Sequence, residues 1–291
     1  MPTLEFPKLE ERRTRSTAVV LPLILGLYLL ARLLEIIPTS IPRTGIVALD
    51  VLSALAFALT DGARHYRLRG ILVFTGICIV VGNIVENLGV VTGFPFGRYY
   101  FVELMGPKLF HVPILLGLAY IGMSYVSWSV ARAILGPAPA RGVRLIGMPI
   151  VAGFVMVAWD LAQDPVWATL LHGWVWRDGG PWFGVPVSNY LGWYGTVLLI
   201  YLVFALYLSS RPAAPASTAS LRPALLFYAF CAAGNVLQTI PTQVPAIVQD
   251  PTGQSWRAND ITAASAMVSV FVMGSFIAIA WVRLAEQRPT D

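Results

Sequence analysis

The chain has 291 residues, 57% of them hydrophobic and only 12% charged, with a formal net charge of +5. Together with a mean hydropathy of +0.70, this excludes an ordinary soluble domain and indicates an integral membrane protein with several helical spans. The positive charge calls for no nucleic-acid partner, because membrane proteins gather Lys and Arg on their cytoplasmic side.

Eight apolar segments of about 20 residues follow in order, separated by charged or Gly/Pro breaks. They cover residues 17–37, 45–59, 71–91, 110–135, 145–170, 187–208, 224–240 and 261–284. The second is short. The expected fold is all-α, a bundle of about eight transmembrane helices. Residues 17–285 form one membrane domain between a cytoplasmic segment, 1–16, and a cytoplasmic tail, 286–291. The charges between Lys8 and Arg13 precede no small-residue cleavage site, so the first span reads as a retained helix and not a signal peptide. With both termini cytoplasmic in the plasma membrane, fourteen Lys and Arg lie on the inner side and five on the outer, as the positive-inside rule requires.

Inner loops are short and basic. The outer connections, Thr92–Lys108, His172–Pro186 and Pro241–Asn259, are longer and rich in Gly, Pro and aromatics. Functional chemistry is therefore expected near the outer face, although Trp167, Trp174, Trp176 and Trp182 also suit an interfacial belt. Segments Leu21–Pro38 and Met148–Pro165 share five residues at one offset, and Gly82-Asn83 is echoed by Gly234-Asn235. These matches suggest a parallel four-plus-four repeat. Cys78 and Cys231 each sit in an apolar span and read as packing residues. No His/Cys cluster has metal-ligand spacing, and no P-loop, GxGxxG or GxSxG motif occurs. Ala138, flanked by two prolines, and the stretch RPAAPASTAS read as inner loop and linker.

Polar residues inside spans are costly and mark candidate function. In the third span, Asn83, Glu86 and Asn87 fall at i, i+3 and i+4, on one helical face. In the fifth, Asp160 and Asp164 are i, i+4 neighbours. Asp160 lies about 15 residues, or on the order of 22 Å, from the inner end at ~1.5 Å per residue, and Glu86 lies at a similar height. The two carboxyls can thus converge on one pocket, or each can simply tie helices together through an Arg or amide. Asn189 and Trp193 are i, i+4 near the outer surface. Asn235 and Gln238 lie in the seventh span, His111 opens the fourth, and Asp50 has no evident partner.

The runs ENLGVVTGFPFGRYYF, MGPKLFHVP, AWDLAQDPVW and GGPWFGVPVSNYLGW resemble the carotenoid biosynthesis membrane family. That family includes the CruF-type carotenoid 1,2-hydratases and the bisanhydrobacterioruberin hydratases. The resemblance is clear from Gly82 to Trp193. It implies addition of water to the terminal double bond of an acyclic carotenoid, with no redox cofactor; the lack of metal-ligand spacing leads us to expect no metal. The partners implied are a carotenoid or other polyprenoid lipid, water and membrane lipid.

Such hydration starts with a proton from an acid that is neutral at neutral pH, a state that burial among apolar groups favours. Asp160 or Glu86 suits that role. The tertiary cation that follows is stabilised by aromatic faces, for which Phe96, Tyr99, Trp159 and Trp193 are candidates. Water then loses a proton to a base. Asp164 is placed for this, with Asn189 or His111 orienting the water, and Asn83, Asn87 and Asn235 complete the expected binding set. A cyclase or isomerase shares the protonation step and differs in what captures the cation. A small-solute transporter or a noncatalytic lipid-binding scaffold is also compatible with buried acids.

Overall fold

The computed structural model describes residues 5–136, 141–211, 220–240 and 246–286. The predicted loop around Ala138, most of the RPAAPASTAS linker and the ends of both terminal segments lie outside these residues. The fold is all-α with short loop strands: α1 (Glu5–Leu34), α2 (Arg43–Thr92), α3 (Ile114–Leu135), α4 (Arg144–Pro165), α5 (Val187–Ser209), α6 (Arg222–Leu237), α7 (Ala258–Val268) and α8 (Gly274–Glu286). A π turn, Val166–Leu170, extends α4, and a second, Ser269–Met273, joins α7 to α8. Among the described residues, five helical runs are long and apolar enough to cross a membrane, and Val19–Leu34 and Arg222–Leu237 are shorter apolar helices. The chain is thus a helical membrane protein by length and composition.

The 50-residue α2 is two helical halves. At Arg67 the backbone leaves the helix, with φ 58° and ψ 168°. A straight helix would hold positions 62 and 71 about 13.5 Å apart along its axis. Instead a Cβ on Gly62 would lie 2.4 Å from Ile71, so the chain folds back on itself at the break. The second and third apolar segments of the sequence are these two halves.

The central helix is α3, buried almost continuously from Tyr120 to Ala133 and packed on α2, α4, α6 and α8. Aromatic rings fill the core around it. Tyr28 stacks on Phe227 at 3.9 Å, Phe57 lies 4.9 Å from Phe227, Phe74 lies 4.9 Å from Phe204, and Trp128 lies 5.7 Å from Tyr201. The outside is apolar as well: Leu23, Leu72, Val80, Ile84, Leu191, Phe271 and Trp281 are all exposed. That inversion suits a lipid surround, where helices satisfy their own backbone groups.

The long loops gather at one end of the bundle. There β1 (Tyr99–Phe101) pairs antiparallel with β4 (Trp174–Trp176), β2 (Lys108–Leu109) with β3 (Val112–Pro113), and β5 (Ile247–Gln249) with β6 (Ser255–Arg257). Arg98 and Asp178 form an exposed ion pair beside the first of these. Asp250 ties the β5–β6 turn, accepting from the Thr252 and Gln254 amides and from the Trp256 indole. Burial alone would raise its carboxyl, but these hydrogen bonds outweigh burial and hold it below its ordinary value of 3.8.

Two outcomes follow. A Cβ on Gly122 would sit 2.6 Å from the Ala54 Cβ, so Gly122→Val must part α2 from α3. Overpacking of this kind costs about 1–3 kcal/mol and will appear as a lower thermal midpoint in detergent. For Asp250 the depressed value means a contribution fully present above pH 3.8 and lost as pH falls through the lower folded value. Protection of the β5–β6 hairpin amides, taken relative to intrinsic exchange at each pH, should therefore fall only below pH 3.8, and Asp250→Asn should remove that dependence.

Candidate active site

A cavity of about 890 Å³, its mouth included, opens among α1, α2, α3, α4 and α5 beneath the β1–β4 pair. The helices bring Glu86, Asp160 and Asp164 to its wall, and the loops bring Tyr99, Trp174 and Trp176.

Glu86 lies on the second half of α2 and is 2% exposed. Its Oε2 accepts from the Tyr99 hydroxyl at 2.5 Å and its Oε1 from the Tyr120 hydroxyl at 3.0 Å. The alternation of β1 explains the first contact: Tyr99 and Phe101 turn inward and Tyr100 outward. Burial, and then the Glu86 carboxyl beside it, push the Tyr99 phenol well above its ordinary value, so it stays a donor.

Asp160 and Asp164 face the same space from one side of α4, as i, i+4 geometry demands. Asp164 is 2% exposed, more deeply covered than its place beside Pro165 suggests, because the β4 strand folds over it. Its Oδ1 accepts from the Trp174 indole at 2.6 Å and its Oδ2 from the Asn189 amide at 2.5 Å. The same amide reaches Asp160 Oδ2 at 3.4 Å. Asp160 is thus the least engaged carboxyl of the three.

Rings cover much of the wall. Trp159, Trp167, Trp174, Trp176 and Trp193 all line it. Trp167 stacks on Trp174 at 6.0 Å with 8° between planes, and Trp193 lies 4.3 Å from Tyr120. Three of the four ambiguous tryptophans therefore face the cavity. The fourth, Trp182, donates instead to the Leu161 carbonyl.

Of the residues expected at the site, Glu86, Tyr99, Trp159, Asp160, Asp164, Asn189 and Trp193 line one cavity, while five stand apart. Phe96 is buried behind Trp193, 5.6 Å away. His111 is exposed, and only its backbone N–H is engaged, donating to Asn87 Oδ1 at 3.0 Å. Asn87 in turn donates to Asn83 Oδ1 at 3.0 Å. The two asparagines thus pin the β2–β3 hairpin, because neighbours such as positions 86 and 87 point about 100° apart on a helix.

Asn235, on α6, holds Arg32 of α1: Arg32 Nη2 donates to its Oδ1 at 2.8 Å. Gly234 packs against the same guanidinium, whereas Gly82 meets only Tyr120. The two Gly-Asn pairs therefore do different work. Arg32 also lines the cavity; in the sequence it is only a basic residue inside the first span, because Asn235, which it reaches, lies in another segment. Tyr120 was missed because a tyrosine in an apolar span reads as packing.

The lining holds five carboxyl groups, on Glu35, Asp50, Glu86, Asp160 and Asp164, against one guanidinium, Arg32. Arg32 Nη1 is already paired with Glu35 at 2.8 Å. Such a wall disfavours an anionic ligand and suits an uncharged, apolar one. No group of three or more His, Cys, Asp or Glu among the described residues is arranged to hold a metal ion.

Removing the Glu86 carboxyl leaves two buried phenol hydroxyls without their acceptor, at about 1–3 kcal/mol each. Glu86→Ala should therefore lower the thermal midpoint in detergent clearly more than Glu86→Gln, which keeps an acceptor for one tyrosine and an adjustable amide for the other.

The sequence profile described as carotenoid biosynthesis protein matches residues 45–249, a span that contains every cavity-lining residue named above except Arg32 and Glu35. No curated protein and no solved structure matches the chain.

Proposed function

We propose, for a chain that belongs to the carotenoid biosynthesis protein family, that this cavity adds water to the terminal C=C of an acyclic carotenoid end group. Family membership carries the coarser statement, an enzymatic role in carotenoid biosynthesis acting on a carotenoid or polyprenoid. The observation that supports the finer one is the convergence of Glu86, Asp160 and Asp164 on one ring-lined cavity.

In this mechanism Asp160 supplies the proton. It accepts only the long Asn189 contact, so its carboxyl is free to face the substrate. The alkene π pair takes the proton at the less substituted carbon and leaves a tertiary cation at the other. The Trp159, Trp193 and Tyr99 rings border that position and stabilise the cation through their negative faces. A water oxygen bonds to the cation and sheds a proton to Asp164, which Trp174 and Asn189 hold in place. Proton return from Asp164 to Asp160, with Asn189 between them, restores the starting state. Glu86, fixed by Tyr99 and Tyr120, sets the field of the site. The sum is alkene plus water to tertiary alcohol, redox-neutral, so no redox cofactor is required.

The same reading places eight passes in the plasma membrane, with α2 counted as two. Both termini are cytoplasmic and the loop-bearing end faces outward, supported by the fourteen-to-five distribution of basic residues. Residues 17–285 act as one domain. The four-plus-four repeat stays a feature of the sequence matches.

Expression in a host that makes a linear carotene should yield pigment heavier by one water. Asp160→Asn should lower that product by about 10²–10⁴-fold, the usual range for a lost general acid. Undiminished hydrated pigment would remove Asp160 from the mechanism. A product of unchanged mass would point to cyclisation or isomerisation.

A further inference from the structure

The acid cluster is one polar pole of the cavity, and Arg32 and Asp50 form another. Arg32 is 2% exposed and rigidly held. Nη1 pairs with Glu35, Nη2 with Asn235, and Asn235 is itself fixed by donating to Ser269 Oγ at 3.0 Å. Glu35 in turn accepts from the Gln238 amide at 3.1 Å. A Cβ on Gly234 would lie 2.3 Å from Arg32 Nε, so only glycine lets α6 approach the guanidinium this closely.

After all of these bonds three polar atoms are left over here: Gln238 Oε1, away from the cavity lining, and one donor and one acceptor on residues that line it. Arg32 Nε and Asp50 Oδ1 are both buried and have no hydrogen-bond partner. Both residues line the cavity. Unpaired buried polar atoms are costly, and structures rarely keep them without a reason. The two atoms do not bond each other. One oxygen that accepts from Nε–H and donates to Oδ1 would satisfy both.

We infer that the Arg32–Asp50 pole is a binding subsite for an uncharged O–H group. A phosphate or carboxylate would meet the Glu35 and Asp50 carboxyls, and an ammonium would meet Arg32, so a neutral group that both donates and accepts fits best. Two sources share that chemistry: a hydroxyl carried by the polyprenoid ligand, and a water molecule. The rest of this inference rests on the proposed carotenoid substrate, whose apolar body suits the Val51, Leu115, Leu116 and Ala119 wall. A ligand with a hydroxyl at one place and a reactive alkene at another would be held at both poles.

Binding tests this without relying on turnover. Quenching of tryptophan fluorescence in the purified full-length protein reports a polyene entering a cavity lined by five indoles. The probes are a linear carotene and its terminal mono-alcohol. If the ligand supplies the hydroxyl, the alcohol should bind about tenfold more tightly, as for one well-placed pair of hydrogen bonds. Asp50→Leu should abolish that preference and leave hydrocarbon binding in place.

If water supplies it, the two probes bind alike, and Asp50→Leu lowers kcat on the hydrocarbon by about tenfold at unchanged KM. Equal binding of both probes with unchanged kcat in Asp50→Leu overturns the inference. Should Asp50→Leu fail to fold, the smaller Asp50→Ala, which also lacks the acceptor, is read by the same criteria. Alcohol preference without any hydration would sink the hydratase reading alone. Hydration in which neither the alcohol preference nor kcat responds to Asp50→Leu would sink the subsite alone.

Discussion

A carboxyl group sunk in an apolar bundle has no water to turn to, so its hydrogen-bond partners must come from the protein itself. This requirement organises the molecule. Glu86 draws one phenol from a loop strand and one from the central helix. Asp164 draws an indole from a second loop strand and an amide from α5. Each acid thus joins a helix to an element distant in sequence. Asp160 receives the least of the three clustered acids, and beside two that are firmly held, the poorly held one is the reactive candidate.

The loops are therefore part of the interior. Pairing of β1 with β4 sets Tyr99 opposite Trp176 and Phe101 opposite Trp174, and strand alternation decides which rings turn inward. Arg98 and Asp178 clamp that pair from the wet side. Elsewhere on the cavity wall, Arg32 of α1 is braced by α6 and reaches the π turn after α7 through Asn235 and Ser269. The two poles share one wall yet have separate supports, so a change at one leaves the scaffold of the other intact.

Hydropathy carried most of the fold in advance, because lipid-facing and core-facing residues are alike apolar and a span announces itself by length. The reversal at Arg67 was visible as a basic break, DGARHYRLRG. The cavity was legible where spacing is local: Asp160 with Asp164, and Asn189 with Trp193, each one helical turn apart. It was less legible where partners are remote. Nothing near Arg32 in sequence points to Asn235, and Trp174 and Trp176 look the same whether they cap an acid or sit at an interface. His111 shows the opposite failure. It lies in the right loop, but its ring turns outward and only its backbone is used.

The pairing of Tyr99 with Trp176 also bears on how the molecule is made. The two strands are far apart in the chain, with α3 and α4 between them, and contacts of such long sequence separation form late because the intervening segment must first be placed. Glu86 and Tyr99 lie thirteen residues apart and enter the chain almost together, whereas the Asp164 cap needs Trp174 and Asn189, which are made later. The cavity can close only once about two thirds of the chain has been made, when its last lining residues, Asn189 and Trp193, are in place.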